Sequence, residues 1–173
     1  MAFKRTGPKK GTIAYMEQQS KSARSFLLMA LILTAANCVL LFTESDMFFL
    51  FSGWLPYWQL VLNVAGLGGD MAIAWLVVSL GTLMVCWLMW NKSKVFAALA
   101  GLLMAGDTVY LITVMSDWSK LMGEDATSTM TLNLIFHILM VGLMIVGFVH
   151  AGKLEKARAA AQPTQNTAQS PEL

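Results

Sequence analysis

The chain has 173 residues, of which 57% are apolar and only 13% are charged, and its formal net charge is +2. Soluble domains carry roughly twice that share of charged residues, so the composition excludes an ordinary soluble domain and indicates a single membrane domain. The excess of bases is small and flanks apolar segments, so we expect the lipid bilayer and no nucleic acid as a partner.

Four apolar segments cover residues 23–43, 70–90, 95–117 and 128–150. Each is long enough to cross a hydrocarbon core of about 30 Å at about 1.5 Å per helical residue. Together they predict a domain over residues 23–158 with an all-α fold, a four-helix transmembrane bundle. Residues 1–22 are interpreted as a basic cytoplasmic segment. Residues 159–173 are polar and low in complexity, and are predicted to form a disordered cytoplasmic tail.

The charges between these segments are sorted by sign. Eleven of the twelve bases lie in residues 1–24, 92–94 and 153–158, whereas the other two connections hold six acids and one base, Lys120. Because cytoplasmic loops of membrane proteins carry an excess of Lys and Arg, this pattern predicts a multi-pass protein of the plasma or inner membrane. Both its N-terminus and its C-terminus are predicted to be cytoplasmic.

The connection after the first segment, residues 46–63, is too apolar for an ordinary loop. It holds six aromatic residues between Phe48 and Trp58, and Gly53 and Pro56 interrupt it, so we do not expect a continuous spanning helix. Aromatic side chains favour the headgroup region. The segment is therefore predicted to be amphipathic and either interfacial or shallowly re-entrant on the outer side. It either caps the bundle or forms a lid made by Phe51, Trp54, Tyr57 and Trp58.

Four tryptophans lie close to the predicted membrane boundaries and are interpreted as an aromatic belt. They are Trp75, Trp87, Trp90 and Trp118.

Asp107 is the outstanding polar residue inside an apolar segment. Inserting a central Asp costs on the order of 3 kcal/mol, so its carboxyl group must be protonated, paired or in contact with water. By helical rise, Asp107 lies about 16 Å and His137 about 13 Å below the outer boundary. We therefore expect the two side chains to be in direct or water-bridged contact, where they could hold or relay a proton.

Six further polar side chains are predicted to share this region, because they lie on the same helix faces or beside Asp107: Thr34, Asn37, Ser79, Thr82, Thr108 and Asn133. With Asp107 and His137 they could line a polar pocket that opens outward and binds a small polar ligand or a proton. The structural alternative stays open, since such side chains also hydrogen-bond between membrane helices as glue and the Asp–His pair could be a clamp.

Small residues recur every fourth position in the third segment, at Ala97, Gly101 and Ala105. Such a stripe allows close helix approach, either within the chain or to a membrane protein partner or second copy in a homodimer. Gly142 and Gly147 narrow the fourth segment in the same way.

The sequence offers little for metal or cofactor chemistry. It has two histidines, and His150 lies at the predicted cytoplasmic boundary, so we expect no zinc or di-iron site, no haem and no other cofactor. There is also no GxSxG motif and no phosphate loop. Whether the protein is an enzyme stays open, with a non-catalytic role favoured.

The run from Thr43 to Tyr57 is similar to a pattern in small four-helix bacterial integral membrane proteins that are uncharacterised. In those proteins the first helix ends in Thr-Asn-Ser-Asp, followed by Phe-Leu-Phe-Ser and Pro-Tyr. They share an Asp-Thr in the third helix, here Asp107-Thr108, and a Phe-His in the fourth, here Phe136-His137. Glu44 departs from the pattern, which has Asn. The resemblance implies a common fold over residues 25–156 and brings no known activity.

Four functions remain open. The first is a binding, sensing or transport protein with a polar pocket at Asp107 and His137. The second is an accessory or assembly subunit of a membrane complex that acts through helix packing. The third is an intramembrane acid–base enzyme, and the fourth a membrane-stress or immunity-type protein whose lid shields a partner. The first two are favoured. A binding protein needs a water-accessible cavity at Asp107, whereas a packing subunit needs Asp107 sealed against His137.

Overall fold

Within the residues that the computed structural model describes, every regular element is a helix. These residues are 7–44, 47–50, 52–66, 69–122 and 124–161, with the main chain alone given for 70, 116–122, 124–129 and 161. The helices in chain order are α1 (Ile13–Phe42), α2 (Trp54–Val64), α3 (Gly69–Met89), α4 (Lys94–Met122) and α5 (Glu124–Ala161). The predicted all-α class is confirmed.

Four of these helices, α1, α3, α4 and α5, are long and apolar enough to cross a membrane. Their outward faces carry large apolar side chains, and Val77, Leu102, Val109 and Ile138 are each more than half exposed. A water-soluble monomer rarely exposes apolar surface on this scale. The chain therefore has the build of a multi-pass membrane protein, with the predicted four-helix bundle.

Two of the helices extend well beyond the predicted apolar segments. α1 begins at Ile13 instead of 23, and it is capped by Thr12, whose Oγ1 accepts the N–H of Tyr15. α5 runs on to Ala161, so the first residues of the predicted tail are helical. The rest of that tail and residues 1–6 lie outside the described residues. Apolar side chains mark where a helix contacts lipid, whereas main-chain hydrogen bonds continue past that boundary.

α2 is too short to cross the bilayer, since its 11 residues reach about 16 Å against a core of about 30 Å. The chain before it turns back into the bundle, where the Gly53 N–H donates to Thr34 Oγ1 at 2.6 Å. Thr34 lies about 12 Å before the end of α1 at Phe42 by helical rise. The connection is therefore re-entrant, which is one of its two predicted arrangements.

The bundle has two ends that differ in what they carry. The α2 end holds the end of α1, the re-entrant segment and α2. The turn end holds the start of α1, the α3–α4 turn at residues 90–93 and the last turns of α5.

The larger apolar core lies toward the turn end and combines small and large side chains. Its buried members include Ala23, Leu27, Ala30, Trp90, Ala97, Ala100, Met140 and Met144. A Cβ atom on Gly147 would overlap the Cβ of Ala23 and lie 2.9 Å from the Trp90 ring, so α5 packs this closely only because residue 147 is glycine. Trp90 does not join an aromatic belt as predicted: it is 1% exposed, and its Nε1–H donates to Ser20 Oγ at 3.0 Å. The side chain of Trp118 lies outside the described part.

The small-residue stripe of α4 faces the interior of the bundle. Ala97 is fully buried, and a Cβ on Gly101 would lie 3.6 Å from the Cβ of Met144 on α5. Ala105 is half-buried. The stripe therefore serves the approach of α4 to α5, while its use by a membrane protein partner or a homodimer stays a prediction.

Candidate functional site

Six buried polar side chains from α1, the re-entrant segment, α4 and α5 form what we call the polar centre. Its members are Thr34, Asn37, Ser52, Asp107, Asn133 and His137, each at most 6% exposed. Five of the six are candidates from the sequence. Hydrocarbon offers no water to satisfy such groups. The hydrogen bonds within the protein therefore show which polar groups already have partners and which remain open to a ligand.

The predicted contact between Asp107 and His137 is confirmed. His137 Nε2 lies 2.9 Å from Asp107 Oδ2, and the residues are 2% and 6% exposed. The contact joins α4 to α5 across the interior. The depth estimate from the sequence succeeded because both helices rise uniformly between their membrane boundaries.

Asp107 also caps the N-terminus of α2, which the sequence did not indicate. The first N–H groups of a helix have no partner within it, and the N-cap residue Gly53 has no side chain to supply one. Trp54 N–H donates to Asp107 Oδ2 at 2.8 Å, and Leu55 N–H donates to Oδ1. Pro56 follows and has no N–H. A carboxylate is favoured at this position because the N-terminus is the positive end of the helix dipole.

The second ring nitrogen of His137 fixes the number of protons on the pair. Nδ1 lies 2.9 Å from the main-chain oxygen of Asn133, which can only accept, so Nδ1 carries a proton. A further proton must lie between Nε2 and Asp107 Oδ2, because two lone pairs would otherwise face each other. Wherever that proton resides, the pair has no net charge. A neutral pair is the least costly one to bury.

Asn37 and Thr34 attach the re-entrant segment to α1. Asn37 Oδ1 accepts the Phe49 N–H at 2.8 Å, while its Nδ2 donates to Phe49 O at 2.9 Å and to Ser52 Oγ at 2.7 Å. Thr34 Oγ1 accepts from Gly53 and donates to Ala30 O at 2.7 Å. These bonds satisfy main-chain groups of a non-helical stretch, which membrane interiors tolerate only when protein supplies the partners.

Aromatic side chains cover the polar centre at the α2 end. Trp54 stacks on Trp58 with ring centroids 5.9 Å apart, and Phe48 meets Tyr57 edge-to-face at 5.0 Å. Trp54 packs with the buried Leu111 and Met130. Burial raises the pKa of the Tyr57 phenol above its ordinary value, so it stays protonated. Phe51, the remaining lid candidate, lies outside the described residues.

Three predicted pocket residues make only local bonds. Ser79 donates to Leu76 O, Thr82 to Val78 O and Thr108 to Met104 O, all within their own helices. Thr108 is buried, whereas Ser79 and Thr82 are not. Such bonds to the preceding turn are common for hydroxyl residues in helices, so the hydroxyl protons of these three are engaged within their own helices.

Two buried side chains of this region lack partners among the described residues. Neither Nδ2 nor Oδ1 of Asn133 has a hydrogen-bond partner, and neither does Nε1 of Trp54. Asn133 is 1% exposed. The two residues share a neighbourhood, since Trp54 packs with Met130, three residues before Asn133 on α5. Buried polar groups are almost always satisfied, so these atoms are unusual among the described residues.

The polar centre thus combines the Asp107–His137 pair, whose hydrogen bonds are made, with the Asn133 side-chain amide, which has no hydrogen-bond partner among the described residues. Two main-chain N–H groups and the His137 ring occupy the Asp107 carboxyl group, which is therefore sealed against His137. Among the described residues no group of three or more His, Cys, Asp or Glu side chains comes together to hold a metal ion. A cavity of about 380 Å³ lies at the turn end.

Sequence reasoning missed Ser52 and the main-chain groups of residues 53–55. A signal was present: Ser52 and Gly53 are small residues within an aromatic run, just ahead of Pro56. A proline there is typical of the first turn of a helix, and a helix that begins inside a membrane needs an acceptor from elsewhere in the chain.

No family model, curated protein or solved structure matches the chain. The resemblance to small four-helix bacterial membrane proteins therefore rests on the quoted residues alone.

Proposed function

We propose that this protein is a non-catalytic integral membrane protein that binds a small polar molecule inside the α2 end of its bundle. The proposal rests on the buried Asn133 amide, whose two donor hydrogens and acceptor oxygen have no partner among the described residues. Leaving such a group unsatisfied costs about 1–3 kcal/mol, and hydrocarbon supplies no water to relieve it. A guest with both donor and acceptor groups would recover that free energy.

The neighbours of Asn133 favour an uncharged guest. The Asp107–His137 pair has no net charge, and the carboxyl oxygens are already occupied by two main-chain N–H groups and the His137 ring. A charged molecule would therefore find no counter-ion there, and burying an unpaired charge is costly. The indole N–H of Trp54 adds one donor from the lid.

In this proposal Asp107 is a positioning residue that holds α2 over the bound molecule. Its bonds to Trp54 and Leu55 fix the N-terminus of α2, and Trp54 closes the space from the α2 end. Release of the guest requires α2 to shift and those bonds to break. Closed and open positions of α2 would let the protein sense or transfer its ligand.

Native mass spectrometry of the full chain released from detergent micelles tests the proposal. The wild-type protein is expected to carry an additional small mass, which Asn133→Leu loses because leucine has a similar size and no polar group. Thr108→Val is the matched control, since Thr108 is buried nearby on α4 but is satisfied by its own helix. It should keep the mass. A wild-type protein without any added mass would contradict binding and leave ordered water as the partner of Asn133.

A packing or assembly subunit is the second candidate, favoured by the sealed state of Asp107. In that case Asn133→Leu would simply remove an unsatisfied group. It should raise the midpoint of thermal unfolding and leave every cellular phenotype of the protein unchanged. Loss of a phenotype with an unchanged fold would contradict this candidate.

The proposal places the α2 end on the outer side and the turn end in the cytoplasm, because the bases concentrate at the turn end. In a chain with Cys38→Ala and Cys86→Ala, Thr43→Cys should react with an impermeant thiol reagent added to intact cells. Asn91→Cys should react only after the membrane is opened. The reverse result would invert the orientation.

A further inference from the structure

The turn end has a charged cavity of about 380 Å³ that the proposed function does not use. The start of α1, the α3–α4 turn and the last turns of α5 enclose it. Its charged lining consists of four bases and two acids: Lys21, Lys92, Lys94, Arg158, Glu17 and Glu155. The lining therefore has a net charge of +2, since four positive charges face two negative ones.

The bases of this cavity are only loosely engaged. One oxygen of Glu17 serves both Lys21, at 3.4 Å, and Arg158, at 3.7 Å, whereas a close charged hydrogen bond is about 2.7–2.9 Å long. Lys94 lies 4.0 Å from Glu155. Exposed ion pairs of this kind contribute little to the free energy of folding. In the described part of the chain Lys92 makes no ion pair, so the lining has positive charge to spare.

Uncharged hydrogen-bond donors in the cavity also favour a negatively charged ligand. Ser20 lines the cavity and is 5% exposed. Its oxygen accepts the Trp90 indole N–H, so its own hydroxyl proton remains to be donated. α4 begins at Lys94 in the cavity wall, and the N-terminus of a long helix favours an anion.

The cavity lies where the buried part of α5 gives way to its exposed end. Along α5 its lining runs from Ala151 to Ala159, which is about 12 Å by helical rise. Ala151 and Leu154 are still buried, whereas Glu155 and Arg158 are exposed. The cavity thus spans the step from apolar interior to water, where phosphates of a membrane leaflet are found.

We propose that this cavity binds a phosphate-bearing anion, held by Lys92, Arg158 and Lys21 with the Ser20 hydroxyl donating from the floor. Binding would draw Lys21 and Arg158 away from their shared acceptor, Glu17. A lipid headgroup and a soluble phosphate ester present the same chemistry to these side chains. This cavity shares no residue with the polar centre at the α2 end.

Thermal unfolding of the full chain in a non-ionic detergent tests this site with three probes. Dihexanoyl phosphatidylglycerol is the anionic lipid, dihexanoyl phosphatidylcholine its zwitterionic control, and glycerol 3-phosphate the soluble ester. Saturating anion should raise the midpoint of unfolding by about 5 °C, with no comparable rise from phosphatidylcholine. A rise with the lipid alone assigns a headgroup, and a rise with both anions assigns the phosphate itself. No rise with either anion would overturn the proposal.

Matched variants distinguish binding in the cavity from nonspecific electrostatic attraction of the anion to the protein. Lys92→Gln with Arg158→Gln should abolish the shift. Lys153→Gln with Lys156→Gln also removes two positive charges, but from α5 residues outside the cavity. This variant should keep the shift in the unfolding midpoint. Lys92→Gln alone breaks no ion pair among the described residues, so it tests the site even if the double variant folds poorly, and it should reduce the shift. Equal loss in both double variants, or full retention in Lys92→Gln, would overturn the site.

Discussion

The two halves of the bundle are held together by different physical means. Toward the turn end, helices meet through close apolar packing, where Gly147 lets α5 approach Ala23 and the Trp90 ring. At the α2 end they meet through the polar centre, where Asp107, Asn37 and Thr34 satisfy main-chain groups of the re-entrant segment. Both halves lie within the same apolar helices.

The difference follows from what each half must accommodate. Regular helices satisfy their own main-chain groups, so they need only shape complementarity to associate in lipid. A chain that re-enters the membrane and starts a helix there brings unsatisfied N–H and C=O groups with it. Buried polar side chains thus occur where the main chain is irregular, which gives Asp107 a structural task before any functional one.

Replacing Asp107 should have the largest effect. Asp107→Leu leaves the N–H groups of Trp54 and Leu55 and Nε2 of His137 without their partner, and each buried group left unsatisfied costs about 1–3 kcal/mol. The midpoint of thermal unfolding in detergent micelles should fall by roughly 10 °C or more. Asp107→Asn keeps an acceptor oxygen and should lose less. If Asp107→Leu unfolds at the wild-type temperature, Asp107 does not hold α2.

Gly147 should dominate the apolar half. Gly147→Ala forces a methyl group against the Cβ of Ala23, and overpacking of this kind costs about 1–3 kcal/mol. Gly142→Ala is the matched control on the same helix, because a Cβ there meets nothing within 4 Å. It should gain about 0.5–1 kcal/mol from helix propensity. Equal midpoints of unfolding for the two variants would show that α5 is not packed this closely.

Thr34→Val should loosen the re-entrant segment while leaving the spanning helices in place. It removes the acceptor of the Gly53 N–H, a loss of about 1–2 kcal/mol. Hydrogen–deuterium exchange followed by mass spectrometry should show faster exchange of the α2 amides and unchanged exchange in α5. Faster exchange throughout the bundle would mean that the two halves are not separable.

A small gain is expected at residue 44, where α1 ends. Glu44 has φ 54°, a left-handed conformation that costs a non-glycine residue about 1–2 kcal/mol. Glycine adopts it freely but is less ordered in the unfolded chain, so Glu44→Gly should stabilise by about 0.5–1 kcal/mol. Asparagine, which the similar bacterial proteins have there, should also stabilise. A lower unfolding midpoint for both variants would point to a role for the Glu44 carboxylate.

The spanning helices and the Asp107–His137 contact were predictable for the same reason. Apolar runs of about 20 residues have few alternatives to a membrane helix, and a uniform rise converts sequence position into depth. An isolated carboxylate among apolar residues must find a partner, and His137 was the suitable group at its depth. The charge pattern likewise predicted that the bases lining the turn-end cavity lie on the same side of the membrane, although it did not predict the cavity.

What the sequence by itself determined is therefore what local periodicity and the hydrocarbon thickness control: helix number, approximate bounds and the depth of polar residues. The tertiary structure decided which neighbour each polar group contacts. It turned Asp107 into the cap of α2, left the Asn133 amide without a partner, and drew Trp90 into the core. Those outcomes depend on the rotation of each helix and on distant N–H and C=O groups, whose positions are fixed only once all the helices pack together.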